Sequence, residues 1–254
     1  MIRMIVLDLD KTLLNNNGCV TEFSRNIVER CRLAGIRVVI ATGRSITATR
    51  YAIRDLNVDA LICNDGAQIF IKDIIFENPL ESKIANTLLR QLSQDHEVKI
   101  IKVVTKSGEY SNIDNAEKNG VKYSYWNFES PFLSDIYKIM IQTTSNFICD
   151  IYKSNFMCNM RRIRESNNFM ITNKNVDKIN AIQMAANYYE LSKDEILAFG
   201  DDINDKQMLE SCGVGVAMNN ASSFIKEIAD FVCDTNQNDG AAKWIEINIL
   251  NHKK

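Results

Sequence analysis

The chain has very little histidine, and this shortage excludes several kinds of catalytic site. Only two of its 254 residues are histidines, His96 and His252. A zinc site built on imidazole would lack the partners that it needs, and a Ser-His-Asp triad would have to use His96. Any acid–base chemistry is therefore expected to rely on carboxylates.

The sequence also lacks a membrane-length apolar run and a large net charge. No apolar stretch approaches the roughly 20 residues that a transmembrane helix needs. The apolar N-terminal stretch is too short for a signal peptide and is interrupted by Asp8 and Asp10. Lysine and arginine total 30 against 32 acidic residues, so no general attraction to polyanions is expected. We therefore expect neither nucleic acid nor a membrane as a partner.

The seven cysteines include no C-x-x-C pair. An odd and scattered set of cysteines in a chain of this length is typical of reduced thiols. This pattern predicts a cytoplasmic protein. The sequence leaves open whether the protein is a monomer or a homodimer.

Short apolar runs alternate with helical patterns at both ends of the chain. Buried strands are predicted at 4–7, 36–40, 60–63, 196–199, 214–217 and 230–233. Helices are predicted between them, and Thr21 can cap the first of these helices. Because β-α-β alternation builds parallel sheets with right-handed crossovers, both ends of the chain contribute to one α/β core.

The middle of the chain has a different pattern. A predicted helix over 81–95 is followed by strand-like segments and a hairpin around 106–109, which is typical of an α+β module. The predicted fold is therefore α/β, with a Rossmann-like doubly wound parallel sheet formed by residues 1–79 and 175–254. An α+β domain of residues 80–174 is inserted into this core.

Polar residues follow the predicted core strands, where ligand sites of open parallel sheets lie. Another candidate, Lys178, begins the helix that re-enters the core. The candidate residues are Asp8, Asp10, Thr12, Thr42, Gly43, Arg44, Lys178, Asp201, Asp202, Asn204 and Asp205. If the sheet is as predicted, these residues converge on one edge.

Such a convergence has a chemical meaning. Several carboxylates at one point repel each other unless a hard cation lies among them, and oxygen ligands suit Mg²⁺, with Mn²⁺ or Co²⁺ as substitutes. Thr42, with its neighbouring backbone amides, and Lys178 supply hydrogen-bond donors and positive charge for an anion. The i, i+2 spacing of Asp8 and Asp10 lets both carboxylates face the site. Together these groups predict phosphoryl transfer through a carboxylate nucleophile.

Four segments resemble, in order, the motifs of the haloacid dehalogenase superfamily of phosphohydrolases. These are Asp8-Leu9-Asp10-Lys11-Thr12-Leu13-Leu14, Ala41-Thr42-Gly43-Arg44, Lys178, and Gly200-Asp201-Asp202-Ile203-Asn204-Asp205. The stretch over 199–209, followed by Gly215-Val216-Ala217-Met218-Asn219-Asn220-Ala221, is similar to the Cof-type sugar-phosphatase branch in particular.

The resemblance implies a role for each matching residue. Asp8 would be the nucleophile and a Mg²⁺ ligand, and Asp10 would be the general acid/base that also binds the metal through its backbone carbonyl. Asp201 would bind the metal directly, and Asp205 would support the metal or its waters. The phosphate-binding residues would be Leu9 through its backbone, Thr42, Gly43, Lys178 and Asn204. The inserted domain would be the family's cap, which selects the substrate.

Two positions depart from the pattern of the family. Lys11 occupies a position where the family usually has glycine. The segment Asn64-Asp65-Gly66-Ala67 resembles the Asn-Gly-Ala turn of the Cof-type branch but carries Asp65 directly before the glycine.

The sequence thus predicts a Mg²⁺-dependent phosphatase of small phosphorylated metabolites, such as sugar phosphates or related phosphomonoesters, that acts through an aspartyl-phosphate. Two alternatives remain open at this point. A phosphomutase-type phosphotransferase can use the same Asp-x-Asp chemistry, and it would require an activating bisphosphate. A sensor that binds a phosphosugar without catalysis would not need both a nucleophile and an acid.

Overall fold

The computed structural model describes residues 1–144, 152, 156, 158–163 and 166–251, and His252 lies outside them. The chain folds into two compact units. The first comprises Met1–Phe76 and Asp177–Lys254, and the second comprises Glu77–Val176. These limits lie within a few residues of the predicted boundaries at 79/80 and 174/175. The role of the inserted unit as a cap stays a prediction.

The described residues form short strands and helices that are numbered here in chain order. The strands are Met4–Leu7 (β1), Arg37–Ala41 (β2), Ala60–Cys63 (β3), Gln68–Ile71 (β4), Ile74–Glu77 (β5), Val98–Thr105 (β6), Glu109–Ser111 (β7), Glu117–Lys118 (β8), Val121–Lys122 (β9), Ser124–Tyr125 (β10), Ile136–Thr143 (β11), Cys158–Arg162 (β12), Asn168–Asn173 (β13), Ile196–Gly200 (β14), Val214–Ala217 (β15) and Phe231–Val232 (β16). The α-helices are Glu22–Leu33 (α1), Ile46–Ile53 (α2), Ser82–Gln94 (α3), Lys178–Tyr188 (α4), Lys206–Ser211 (α5), Ser223–Ile228 (α6) and Gly240–Ile245 (α7). Within the described part of the chain, no helix combines the length and the apolar character that crossing a membrane requires.

The first unit is built on an eight-stranded sheet with the order β16-β15-β14-β1-β2-β3-β4-β5. The six strands from β16 to β3 are parallel to their neighbours, and β4 is antiparallel to β3. From β1 at the middle of the parallel strands, the strand order runs through β2 and β3 on one side. On the other side it runs through β14, β15 and β16. This arrangement confirms the doubly wound α/β core and puts the switch in strand order between β1 and β14.

Strand β1 shows why the sheet lies inside two layers of helices. All four of its side chains are buried. Ile5 and Leu7 belong to the core cluster that includes residues of α1, α2 and α7, whereas Met4 and Val6 belong to the cluster that includes residues of α4, α5 and α6. Because successive side chains of a strand point to opposite faces, an unbroken apolar run fits a sheet that is covered on both sides.

Side-chain caps fix where several helices begin. Thr21, as predicted, accepts a hydrogen bond from the backbone N–H of Ser24 at the start of α1. Asp177 accepts one from the N–H of Asn180, so that Lys178 is the first helical residue of α4. Ser192 and Glu195 form a capping box that opens a short 3₁₀ turn.

The sequence analysis missed strands β4 and β5. Both strands are only four residues long, and the connection between them includes Lys72 with a left-handed φ of 51°. No glycine or asparagine marks this turn, so the usual signal for a hairpin is absent from the sequence.

The inserted unit has the predicted α+β character. Its six-stranded sheet has the order β10-β7-β6-β11-β13-β12 and is antiparallel apart from the pair β10–β7. The apolar face of α3, with Leu88 and Leu92, belongs to the same core cluster as Val103 of β6 and Ile139 of β11. The strand-like segments predicted for this part of the chain include β12 and β13.

The turn after β1 puts the backbone of Lys11 in a conformation that glycine adopts more easily than lysine. The backbone of Lys11 has φ 65°, a left-handed value that costs an L-residue with a side chain about 1–2 kcal/mol. The Lys11 side chain is exposed, whereas its backbone oxygen accepts a hydrogen bond from Asn220 Nδ2 at 2.9 Å. The conformation is therefore imposed by the turn and not by a contact of the lysine side chain.

We expect Lys11→Gly to raise the free energy of unfolding by up to about 1 kcal/mol, because glycine adopts this φ without steric cost. The measurement is equilibrium urea denaturation. Lys11→Ala is the matched control, since it removes the same side chain but keeps the strained backbone and should give no gain. A gain of equal size in both variants would contradict the explanation.

Candidate active site

The predicted acidic residues lie at the carboxyl ends of β1 and β14, where the strand order reverses. Leu7 of β1 pairs with Phe199 of β14, and the backbone N–H of Asp8 donates to the Phe199 oxygen at 3.1 Å. Asp201 follows directly on β14 in the same way. The parallel register therefore brings two segments that are far apart in the sequence to one edge of the sheet.

A buried lysine joins the two acidic segments. Lys178 Nζ donates to Asp8 Oδ1 at 2.6 Å and to Asp205 Oδ1 at 2.7 Å. The side chains of Lys178, Asp8 and Asp205 are 2%, 8% and 0% exposed. These are charge-assisted hydrogen bonds shielded from water, so they are much stronger than surface ion pairs.

The electrostatics of this group are set by burial and by mutual charge. Burial alone would lower the pKa of Lys178, but the carboxylates of Asp205 and Asp8 raise it well above its ordinary value, and Asp65 adds to the rise. Burial raises the pKa of Asp8 well above its ordinary range, and Lys178 opposes this rise. Lys178 is therefore always charged at neutral pH, and Asp8 depends on neighbouring positive charge to ionise.

Asp8, Asp201 and Asp205 fit a divalent cation. Each offers a buried carboxylate oxygen, and these oxygens lie within 4.8 Å of one another. The ammonium of Lys178 supplies one positive charge against these three carboxylates, and a divalent ion would balance the other two negative charges. An all-oxygen donor set is what Mg²⁺ prefers. The prediction that these residues can hold a metal is thus consistent with their chemistry and spacing.

Asp205 is held rigidly at the centre of this cluster. Its Oδ2 accepts hydrogen bonds from the backbone N–H groups of Asp201 at 3.0 Å and Asp202 at 3.1 Å. The close approach requires Gly200, because a Cβ on that residue would lie 2.4 Å from the Cβ of Asp205. Oδ1 of Asp205 accepts a hydrogen bond from Lys178 and Oδ2 accepts from two backbone amides, so both oxygens are held in place within the cluster.

The second acid of the first motif has a different partner. Asp10 is engaged by Arg44 in a bidentate pair, with Nε to Oδ2 at 2.8 Å and Nη2 to Oδ1 at 2.6 Å. The Asp10 side chain is 49% exposed and the Arg44 side chain is 11% exposed. Two parallel bonds to a planar guanidinium fix the orientation of the carboxyl group, which nevertheless remains accessible to a ligand.

The predicted phosphate-binding groups lie in the loops after β1, β2 and β14, at the same edge of the sheet. Thr42 is buried and its hydroxyl accepts the backbone N–H of Arg44 at 3.1 Å, which leaves the hydroxyl hydrogen to be donated elsewhere. Leu9 is buried, and its oxygen accepts the N–H of Leu14 at 2.9 Å within the turn after β1. Asn204 donates to Asp65 at 3.3 Å, and Gly43 packs against the same carboxylate.

The structure adds two contacts that the sequence analysis did not predict. The sequence analysis listed Arg44 among the candidates without a role, and the structure pairs this residue with Asp10. The sequence analysis noted Asp65 only as a departure from a glycine turn, whereas this residue contacts both Gly43 and Asn204. The roles of all these residues stay predictions, and their placement at one edge of the sheet is an observation.

Comparison with known proteins agrees with the fold and with the family that the sequence resembles. The family model for haloacid dehalogenase-like hydrolases matches residues 5–245. Two Bacillus subtilis relatives, both named 5-amino-6-(5-phospho-D-ribitylamino)uracil phosphatase, are similar over nearly the whole chain. YcsE is 27% identical over 98% of this chain and 96% of its own. YitU is 24% identical over 96% of both chains.

A solved structure gives the same result for the fold. A haloacid dehalogenase-like hydrolase from Bacillus subtilis superposes with a TM-score of 0.84 at 25% identity, covering 98% of this chain and 100% of the other. The chain therefore belongs to the haloacid dehalogenase-like hydrolases, and the resemblance to the Cof-type branch is confirmed. Its class of activity is that of a phosphoric monoester hydrolase.

We expect Lys178→Met to lower the free energy of unfolding by about 3–5 kcal/mol, because it leaves buried carboxylates without their ammonium partner. The measurement is urea denaturation without divalent cations. Lys206→Met is the matched control, since the partly exposed Lys206 lies 3.8 Å from Glu210 and should contribute less than about 1 kcal/mol. Equal losses in the two variants would contradict the importance of the buried pairs.

Proposed function

We propose that the protein is a Mg²⁺-dependent phosphatase of small phosphorylated metabolites, and that it acts through an aspartyl-phosphate on Asp8. The observation that supports this most directly is the buried cluster of Asp8, Lys178 and Asp205 beside Asp201 at the carboxyl edge of the sheet. A carboxylate nucleophile, a fixed cation and a metal-binding acidic set are the parts that phosphoryl transfer needs.

In the first half-reaction an oxygen of Asp8 attacks the phosphorus, and the bond from phosphorus to the leaving oxygen breaks. Asp10 in its protonated form gives its proton to that leaving oxygen, which departs as an alcohol. Arg44 keeps the carboxyl group of Asp10 in one orientation during this transfer. The product is an acyl phosphate on Asp8 together with the free alcohol.

In the second half-reaction Asp10, now ionised, takes a proton from a water molecule that attacks the phosphorus. The bond between phosphorus and Asp8 breaks, inorganic phosphate leaves and the Asp8 carboxylate is restored. Mg²⁺, held by Asp8, Asp201, Asp205 and the backbone carbonyl of Asp10, would neutralise negative charge on the phosphoryl group.

The phosphoryl group itself is held by fixed donors and positive charge. Lys178 supplies the charge, and Thr42, Gly43, Asn204 and the backbone of Leu9 supply hydrogen bonds. Phosphate monoesters hydrolyse very slowly without a catalyst, so most of the rate must come from positioning and charge neutralisation. Donors mounted on short turns at strand ends meet this requirement because they need little reorganisation.

The names of two relatives support a class of substrate for this proposal. Two relatives are named for a phosphorylated ribitylaminouracil, so phosphate esters of sugars and sugar alcohols, including this compound, are the first candidates. Residues 80–174 are proposed to act as the substrate-selecting cap. A cytoplasmic location, and a monomeric or homodimeric state, stay predictions.

The decisive test is phosphate release from a panel of such esters, measured with Mg²⁺, with EDTA, and with Asp8→Asn. We expect release that depends on Mg²⁺ and falls by about 10³-fold or more in Asp8→Asn, because the variant has no nucleophile. Asp73→Asn, an exposed acid in the same unit, is the control and should match wild type. Turnover only with an added bisphosphate would indicate a phosphotransferase instead.

A second test concerns the pair between Arg44 and Asp10. Arg44→Gln should slow the first half-reaction about tenfold more for an alkyl phosphate than for p-nitrophenyl phosphate, because p-nitrophenolate leaves without needing a proton. Single-turnover release of the alcohol or phenol separates this step from hydrolysis of the intermediate.

The matched control for this test is Arg50→Gln, which removes an exposed arginine on α2. It should leave the ratio between the two substrates unchanged. An equal loss for both substrates in Arg44→Gln would show that Arg44 supports the site without orienting the acid.

A further inference from the structure

The turn after β3 brings an additional carboxylate to the proposed phosphate-binding groups. Residues Asn64–Gly66 form a single 3₁₀ turn in which Asp65 has φ 57° and ψ 23°, a left-handed conformation. Asp65 is only 5% exposed. Burial of an acid and a left-handed backbone at a residue with a side chain both lower the free energy of unfolding. The contacts of Asp65 must offset this loss.

The contacts of Asp65 are with the segments that carry the phosphate-binding residues. Its backbone N–H donates to the oxygen of Thr42 at 3.0 Å. Its Oδ1 accepts Asn204 Nδ2 at 3.3 Å, and a Cβ on Gly43 would lie only 3.1 Å from the same oxygen. One residue therefore touches the loop after β2 and the loop after β14.

The turn is also packed tightly against the start of α4. Gly66, which has φ 109°, lies so close that an added Cβ would be 2.5 Å from the backbone oxygen of Asp177. Asp177 caps the helix that begins with Lys178. The position of Asp65 is therefore fixed from a third direction, through the helix that supplies the lysine.

A negative charge at this place does not help to bind a phosphate directly, because like charges repel. The geometry instead suggests an indirect effect through Asn204. A primary amide has two N–H hydrogens on one side and an oxygen on the other. A carboxylate only accepts, so it holds the NH₂ group of Asn204 toward itself and excludes the flipped orientation that would present the amide oxygen.

We infer that Asp65 is a positioning residue that fixes the amide of Asn204, so that the second N–H of this amide is presented to the phosphoryl group. This inference rests on the proposed function, since it concerns a residue that would bind phosphate.

Two substitutions separate the hydrogen bond from the charge. Asp65→Gly removes the side chain, and glycine adopts the left-handed backbone without strain. Asp65→Asn removes the charge but keeps an oxygen that can accept from Asn204, and asparagine also tolerates this conformation. Asp65→Ser, too short to reach Asn204, is made in parallel so that the test does not depend on one variant folding.

The readouts are the dissociation constant of inorganic phosphate from the Mg²⁺-loaded protein, measured by calorimetry, and KM and kcat for the best ester. Asp65→Gly and Asp65→Ser should bind phosphate about tenfold more weakly. Asp65→Asn keeps an accepting oxygen, but its amide can also donate, so it should hold Asn204 less strictly and bind phosphate about threefold more weakly. In an Asn204→Ala background, Asp65→Gly should add less than threefold, because its effect is exerted through Asn204.

Each other outcome contradicts the inference. Wild-type affinity in Asp65→Gly would show that the carboxylate positions nothing, and equal losses in Asp65→Gly and Asp65→Asn would show that an accepting oxygen at this place does not hold Asn204. Additive losses with Asn204→Ala would give the two residues independent roles. A wild-type protein that neither binds phosphate nor releases it from any ester would instead contradict the proposed function itself.

Discussion

The pairing of Lys178 with Asp8 and Asp205 is the constraint on which the rest of the first unit depends. The three groups come from the end of β1, the first turn of α4 and the turn after β14, and they meet away from water. A buried charge without its partner is strongly destabilising, so the parallel register of β1 with β14 and the starting point of α4 are fixed together. The cap that Asp177 forms on α4 has the same effect, because it sets the residue at which the helix begins.

Small residues make this concentration of charge possible. Gly200 admits the side chain of Asp205 against the end of β14, and Gly66 admits the backbone at the start of α4. Any side chain at these positions would push apart the segments that carry the acids and the lysine. The same contacts therefore pack the core and orient the site. A substitution that changes one of them is expected to change both.

Most of the core could be predicted because its strands are buried on both faces and therefore appear as short unbroken apolar runs. The candidate residues could be predicted because polar groups follow directly on those runs. Strands β4 and β5 were not predicted, since their turn lacks the usual residues and the partly exposed β5 has no distinctive pattern. The contacts of Arg44 with Asp10, and of Asp65 with Asn204, join residues 34 and 139 positions apart. Such pairs depend on tertiary geometry that no local pattern encodes.

The charge balance of the site links its stability to its chemistry. Lys178 compensates only part of the charge of Asp8, Asp201 and Asp205, and burial opposes the ionisation of Asp8. In the proposed mechanism, a second fixed cation in place of a metal would stabilise the fold but would also hold the charge of the carboxylate that attacks. The incomplete balance instead makes the ionised form of Asp8 depend on further positive charge. The proposed dependence on a metal would thus come from the same buried acids whose charges Lys178 balances only in part.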